Sequence, residues 1–375
     1  MWTYANPVTV HFGRGAVDAV AGVLAGRRYA LVTYDEPLFR GLAARIAQRA
    51  GPPAAIIDSI APNPDYPLLD AACGRFAAAE ETPAVILALG GGSVIDAAKV
   101  IAAGAKGFAP VQRYLEGRID GSALSAVPVV AVPTTAGTGS EVTSWATVWD
   151  RESGRKRSLA HPSLYPVDAI VDPDLMLGMP AGLTISTALD ALSHSLESIW
   201  NINANPVSTN HAIFAARELL EFLPRLVADL DDQALRTRVA RAALFAGLAF
   251  SNTKTTLAHS ISYPITLRHG VPHGLACSFS LPMVMRSAIG MSAECDAALQ
   301  QVFGDDLQAG ARQLEQFLVR LGVSVNPAAH GIGGDEWQSI VLEAIDGERG
   351  RNFIGNQEQV LNCLLANGGQ RAVGK

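Results

Sequence analysis

The sequence predicts a Rossmann-like α/β N-terminal domain built on a parallel sheet, followed by an all-α C-terminal domain. Three observations predict it. Over the first half, short β-type apolar runs alternate with helical runs, the pattern of a parallel sheet covered on both faces. From about Ala181 almost every segment repeats with helical period. Pro180 and Gly182 stand at the change, and 375 residues are comfortable for two domains. The boundary is therefore expected near residue 180, giving domains 1–180 and 181–375, with a cleft between them as the natural place for a small ligand.

Five strands are expected in the first domain: Tyr29–Tyr34, Ala54–Asp58, Ala84–Leu89, Val127–Val132 and Asp168–Asp172. Helical runs such as LFRGLAARIAQRA and LLDAACGRFAAAE follow the first three. The charged stretch Arg151–Ser158 reads as the polar tip of a hairpin, and the segment TYANPVTVHFG as a strand that could pair across a homodimer. The second domain contributes helices such as STALDALSHSLESIW and STNHAIFAARELLEFLPRLVADL.

Composition narrows the function classes. Hydrophobic residues make up 49% and charged residues 17%, which excludes a disordered or nucleic-acid-coating chain. The net charge of −6 argues against a general polyanion binder. Cys73, Cys277, Cys295 and Cys363 are scattered without CxxC spacing, as reduced thiols of a cytoplasmic protein would be. No basic segment followed by an apolar run opens the sequence, and no apolar run suits a membrane span, so neither a signal peptide nor a membrane partner is expected.

Two loops suggest a phosphate-bearing ligand. VILALGGGSVIDAAKV is a buried-type strand running through Gly90, Gly91 and Gly92 into a helix. Glycine lets the ligand approach the backbone, Ser93 could cap the helix, and the helix amides would face an anion. PTTAGTGSEVT follows the strand ending at Val132 and offers the hydroxyls of Thr134, Thr135, Thr138 and Ser140. Two such loops at the carboxyl ends of strands suit a dinucleotide, although neither is the GxGxxG fingerprint.

The second domain carries a metal-type constellation. Asp190 and His194 stand four apart in a helical run, one turn apart on one face. His259 and His273 follow within TKTTLAHSISYPITLRHGVPHG, with Pro264 and Gly270–Pro272 breaking the chain between them. One carboxylate and three imidazoles suit a divalent transition metal with an open position. His11, His161, His211 and His330 read as structural histidines.

In order and spacing, GGGSVIDAAK, PTTAGTGSEVT, LDALSHSLE and HSISYPITLRHGVPHG resemble the iron-containing (group III) alcohol dehydrogenases, from Phe12 to at least Pro282. The resemblance implies the dehydroquinate synthase-like/iron alcohol dehydrogenase fold. It implies that the first two motifs, with Tyr34, Asp35 and Asp96, bind NADH or NADPH, and that Asp190, His194, His259 and His273 hold Fe²⁺ or Zn²⁺. The first domain is then dinucleotide-binding and the second carries metal and substrate. Where NAD-selective members have an acid after the first strand, this chain has Tyr34 with Asp35 next, a pattern open to both cofactors.

The departures from the family pattern bear on substrate. Small residues usually precede the first histidine of the last motif, and here Lys254 and Thr255 stand there. A lysine beside a metal is unfavourable unless an anion joins them. Lys254, with Thr255 and Arg268 or Arg351, is therefore expected to bind a charged substrate tail. Tyr263 replaces a second histidine, so Tyr263 and His269, or a water relay, are candidates for delivering the proton. TKTTLAHSISYPIT, SLAHPSLYPVDAIVDP and HSLESIWNINANP resemble the branch that reduces phosphonoacetaldehyde to 2-hydroxyethylphosphonate. The alternatives are a generalist for neutral substrates such as lactaldehyde, a maleylacetate reductase and a dehydroquinate synthase-like enzyme.

Overall fold

The computed structural model describes residues 1–152 and 155–368. They form two compact units, Asn6–Met179 and the chain from Pro180 onward, the latter joined by Met1–Ala5.

The first unit contains β1 (Thr9–Phe12), β2 (Tyr29–Val32), β3 (Ala55–Ile57), β4 (Val85–Gly90), β5 (Val129–Pro133), β6 (Trp145–Asp150), β7 (Arg155–Ala160) and β8 (Asp168–Val171). Six of these make one sheet in the order β1-β8-β5-β4-β2-β3, every pairing parallel. β4 and β5 are buried along their whole length, as strands covered on both faces must be. Alternate residues of β4 serve opposite cores. Ile86 and Ala88 pack with Val94, Ala98 and Ile101, whereas Leu87 and Leu89 pack with Val17, Leu24 and Ile46.

This strand order places the site. After β2 the chain runs outward to β3, then crosses back to β4 on the other side of β2. The carboxyl ends of β2 and β4 flank the point where the order reverses, the usual ligand crevice of an open α/β sheet.

Two details depart from the sequence reading. The hairpin expected around Arg151–Ser158 is present, but its antiparallel strands β6 and β7 are not among the five expected, and Arg155–Ser158 belongs to its second strand rather than to the tip. Part of the expected tip, Ser153 and Gly154, lies outside the described residues. β1 pairs with β8 of the same chain, Thr9 opposite Asp168, so this segment gives no argument for a second copy.

A buried lysine ties the two glycine-containing loops together. Lys99, on the helix Gly92–Ala103, is fully buried. Its ammonium donates to the carbonyl oxygens of Ser140 (2.6 Å), Trp145 (2.8 Å) and Thr143 (2.9 Å). The hydroxyls of Ser140 (3.0 Å) and Thr143 (3.2 Å) are also within reach. One turn earlier, Asp96 accepts from Ser140 Oγ (2.6 Å) and Thr147 N (2.8 Å). Burial pushes the Lys99 pKa down to about 8, against support from Asp96 and Glu141, so the ammonium stays charged at neutral pH. Burial likewise pushes Glu141 up to about 7.

The second unit is helical. Ala181–Ile199, Pro206–Ala228 and Gln233–Thr253 are its long helices, and Leu257–His269 and His273–Ser278 follow. Asn205 opens the second with a reciprocal cap: it accepts from the amides of Val207 and Ser208, and Ser208 Oγ receives the Asn205 amide. Among the described residues no helix is long and apolar enough to cross a membrane. Cys73, Cys277 and Cys295 are buried free thiols, and Cys363 is half-buried.

Lys99→Met removes the cation while keeping a similar volume. Five oxygens then lose their donor, and stability should fall by about 3 kcal/mol, read as a lower urea midpoint. An unchanged midpoint would show that residues 140–145 hold their shape without the lysine.

Candidate metal centre and cofactor loops

The cofactor-type residues of the first unit gather at the strand-order reversal. A Cβ on Gly92 would fall 2.5 Å from Thr138 Cγ2, and one on Gly90 would overlap the Val94 side chain. Gly91 lies beside Thr135 and the Tyr34 hydroxyl, 3.3 Å and 3.9 Å from where its Cβ would be. Thr134 N donates to Gly90 O (3.1 Å), closing the two loops on each other. Gly91 is the N-cap of the following helix and brings no side chain to its amides, so that helix end can receive an anion. Ser93 is not the cap: it lies inside the first turn, and its hydroxyl accepts from Asn63 N (3.3 Å).

Asp96 spends both carboxylate oxygens on Ser140 and Thr147 within the protein. Tyr34 packs edge-on against Phe39, and burial pushes its pKa up to about 12. Asp35 is exposed and paired with Arg40 at 2.5 Å.

The second site begins on the helix Ala181–Ile199, where Asp190, His194 and Glu197 sit at i, i+4 and i+7 on one face. All three are buried. Three imidazoles converge on Asp190 Oδ1: His259 Nε2 at 3.3 Å, His194 Nε2 at 3.8 Å and His273 Nε2 at 3.9 Å. His194 stacks on Phe250 (3.9 Å between ring centres, 2° between planes) and on His259 (4.6 Å). Its ring plane is thereby fixed.

His259 is oriented by Glu197, which sequence reasoning passed over although it stands in the same LSHSLE run. Glu197 accepts from Thr256 Oγ1 (2.9 Å), His259 N (3.1 Å) and His259 Nδ1. With a proton on Nδ1, the His259 Nε2 lone pair points at the centre. Burial opposes ionisation of both acids. The imidazoles outweigh it, His194 foremost for Asp190 and His259 for Glu197, and hold both carboxyls below the usual range.

His273 opens the helix His273–Ser278 and is the most exposed of the three imidazoles, its side chain 31% accessible. The next residue explains how it reaches the centre. A Cβ on Gly274 would stand 1.7 Å from Ser186 O, so only glycine lets the two helices approach this closely. One turn on, Cys277 Sγ lies 3.6 Å from His273 Nε2, and ligand atoms of Asp190, His259, His273 and Cys277 all lie within 4.8 Å of one another. The thiol was not anticipated, although its i+4 spacing from His273 was visible.

This donor set fits a divalent metal. Asp190 Oδ1 and His259 Nε2 are buried, face each other and have no hydrogen-bond partner. Two acceptors so placed are costly unless a cation lies between them. Ligand bonds of about 2.1 Å in a tetrahedron put neighbouring donors about 3.4 Å apart, close to the spacings around Asp190 Oδ1.

The remaining predicted residues divide. Tyr263 stacks on His273 (6.1 Å between ring centres, 11°). His269 turns to another partner, with Nε2 3.0 Å from Glu336. Thr255 is buried. Lys254 is exposed, and its backbone takes φ 64° and ψ −178° at the end of the helix Gln233–Thr253. Arg268 is exposed beside Glu336 (3.8 Å), and Arg351 is exposed. A further cation was not foreseen: Arg349 donates to Thr255 Oγ1 (2.6 Å) and lies 5.5 Å over the Tyr263 ring. The other histidines have local partners, His11 on Asp168, His161 on Ser163, His211 against Tyr4 and His330 on Ser324 O.

Comparison with known proteins identifies the family. Residues 7–173 match the family "iron-containing alcohol dehydrogenase", and residues 184–367 match the family's C-terminal domain. An NAD-dependent methanol dehydrogenase of Bacillus methanolicus is 32% identical over 361 residues, 92% of this chain and 94% of that one. A phosphonoacetaldehyde reductase of Streptomyces viridochromogenes is 41% identical over 207 residues, 54% of this chain and 52% of that one. The crystal structure of a sulfoacetaldehyde reductase from Bifidobacterium kashiwanohense in complex with NAD⁺ superposes with a TM-score of 0.89, at 28% identity and full coverage of both chains. The chain belongs to the iron-containing alcohol dehydrogenase family and is an enzyme of that type.

Proposed function

We propose that the enzyme reduces phosphonoacetaldehyde to 2-hydroxyethylphosphonate. In this reading Asp190, His194, His259 and His273 hold Fe²⁺ or Zn²⁺. The Gly90–Ser93 and Thr134–Ser140 loops hold NADH or NADPH. The observation that carries the reading is the convergence of three imidazoles on the buried Asp190 carboxylate, with His273 at its accessible side. The choice of substrate draws support from two relatives whose names denote two-carbon aldehydes ending in an oxyanion.

When bound, the metal supplies Lewis acidity toward a carbonyl oxygen and the reduced nicotinamide supplies hydride. The residues do the rest. Asp190 contributes the negative charge of the ligand set. Glu197 holds His259 in the tautomer that presents Nε2. Reduction adds hydride to the carbonyl carbon and a proton to its oxygen. Tyr263 is the better placed of the two proton donors considered, because it contacts His273 whereas His269 is engaged with Glu336. Arg40 neutralises Asp35 beyond the end of β2, which lowers the repulsion a ribose 2′-phosphate would meet there and is compatible with either cofactor.

Two results are expected. Glu197→Gln should weaken metal binding by roughly 10- to 100-fold, measured by Co²⁺ titration against a competing chelator; unchanged affinity would remove Glu197 from the metal's support. The wild-type enzyme should prefer phosphonoacetaldehyde to a neutral aldehyde of similar size by on the order of 100-fold in kcat/KM. Equal rates would replace the proposal with a generalist aldehyde reductase.

A further inference from the structure

The charge that would recognise an oxyanionic substrate has a specific source in the helical unit. Arg349 is half-buried. One of its five N–H donors is spent on Thr255 Oγ1, a buried hydroxyl, at 2.6 Å. Among the described residues no carboxylate pairs with it. That contrasts with Arg286, which meets Glu315 at 2.9 Å, and with Arg238 and Arg241, which share Glu218. The guanidinium lies 5.5 Å over the Tyr263 ring, and Tyr263 stacks on His273, so the guanidinium and the donor cluster border the same aromatic ring.

The segment that carries Arg349 is built rather than loose. A Cβ on Gly350 would stand 2.1 Å from Ala344 O and 2.4 Å from Ile345 O, so the turn is pressed onto the end of the helix Gly334–Asp346. Arg351 N donates to Gly347 O (3.2 Å), and Asn352 Nδ2 donates to Thr255 O (3.0 Å). Asn352 O in turn receives Ile202 N (2.8 Å). The backbone on the far side of Arg349 is thus tied to the Thr255 segment, to Ile202 and to its own helix. An anchor held this way gives up little conformational freedom when it binds.

We propose that Arg349, steadied by Thr255 and Tyr263, binds the anionic end of the substrate and sets the preference for an oxyanionic aldehyde. This rests on the reading above that the substrate is anionic. The physical case is charge balance. A half-buried guanidinium near a divalent metal is repelled by it, and an anion seated between them relieves both. The planar fork can take two oxygens of a phosphonate or sulfonate at once, which an ammonium cannot. Thr255 completes the seat by occupying one N–H and aiming the others.

The test compares wild type, Arg349→Gln, Arg349→Lys, Thr255→Val and Lys254→Gly. Each is assayed with phosphonoacetaldehyde, sulfoacetaldehyde and a neutral aldehyde of similar size. The dissociation constant of 2-hydroxyethylphosphonate is measured by calorimetry on the metal-loaded protein. Arg349→Gln should lose on the order of 100-fold in kcat/KM for the oxyanionic aldehydes, mostly through KM, while the neutral aldehyde changes by less than about threefold. Product affinity should fall in parallel, and Arg349→Lys should recover only part of it. Co²⁺ loading and Tm confirm that the variant is folded. If wild type shows no preference for the oxyanion, the anionic-substrate reading falls and the anchor with it. If wild type shows the preference and Arg349→Gln retains it, the reading stands and the anchor is overturned. Collapse in Lys254→Gly with retention in Arg349→Gln overturns it in favour of the lysine.

Discussion

The buried carboxylate of Asp190 is the constraint around which the helical unit is arranged. Ionised, out of water and seven residues from a second buried acid, Glu197, it would cost several kcal/mol if nothing compensated it. Each surrounding feature reads as compensation. Phe250 fixes the plane of His194, Glu197 fixes the tautomer of His259, and glycine at 274 lets His273 come near. A cation at its middle suits the arrangement, because Asp190 Oδ1 and His259 Nε2 are buried 3.3 Å apart and neither makes a hydrogen bond. Metal affinity and the packing of four helices are in this sense one property.

The α/β unit solves a related problem with the opposite sign of charge. Loops rich in glycine, threonine and serine have little apolar surface to hold them in place. Lys99 supplies what they lack, an ammonium to which residues 140, 143 and 145 all turn their carbonyl oxygens. Asp96 adds a carboxylate for Ser140 and Thr147. Both residues lie within GGGSVIDAAK, so the motif that ends β4 also carries the device that shapes the loop after β5. The two motifs are therefore one physical unit. Asp96 contributes through that loop, with both of its oxygens already engaged.

Legibility in the sequence followed the range of the interactions. The parallel strands could be read because each is a continuous apolar run between turn residues, and the boundary near residue 180 because period and composition change there together. Asp190 and His194 could be paired by helical spacing alone. The same spacing extends to Glu197, and from His273 to Cys277, so those two were within reach of the same reasoning. The β6–β7 hairpin could be read at its charged tip but not along its strands, since WATVWD and RKRSLA mix apolar and charged residues without a clean alternation. Out of reach was the contact between Arg349 and Thr255, which are 94 residues apart and joined only by the way the chain returns. Periodicity says which face a residue occupies and is silent on which distant segment meets that face.

Lys254 and Thr255 show how differently two consecutive residues of one motif can be placed. A lysine near a metal needs an anion, and the sequence offered Lys254 five residues before His259. Its backbone, at φ 64° and ψ −178°, occupies a region essentially reserved for glycine, a strain of order 1–3 kcal/mol. That turn is held by Asn201 Nδ2 (3.1 Å) and Thr253 Oγ1 (3.0 Å), both donating to Lys254 O. The side chain of Lys254 is exposed, whereas the next residue, Thr255, is buried and receives Arg349. A turn this sharp separates the environments of consecutive residues. The buried hydroxyl of Thr255 thereby ties this segment to an arginine 94 residues further along the chain.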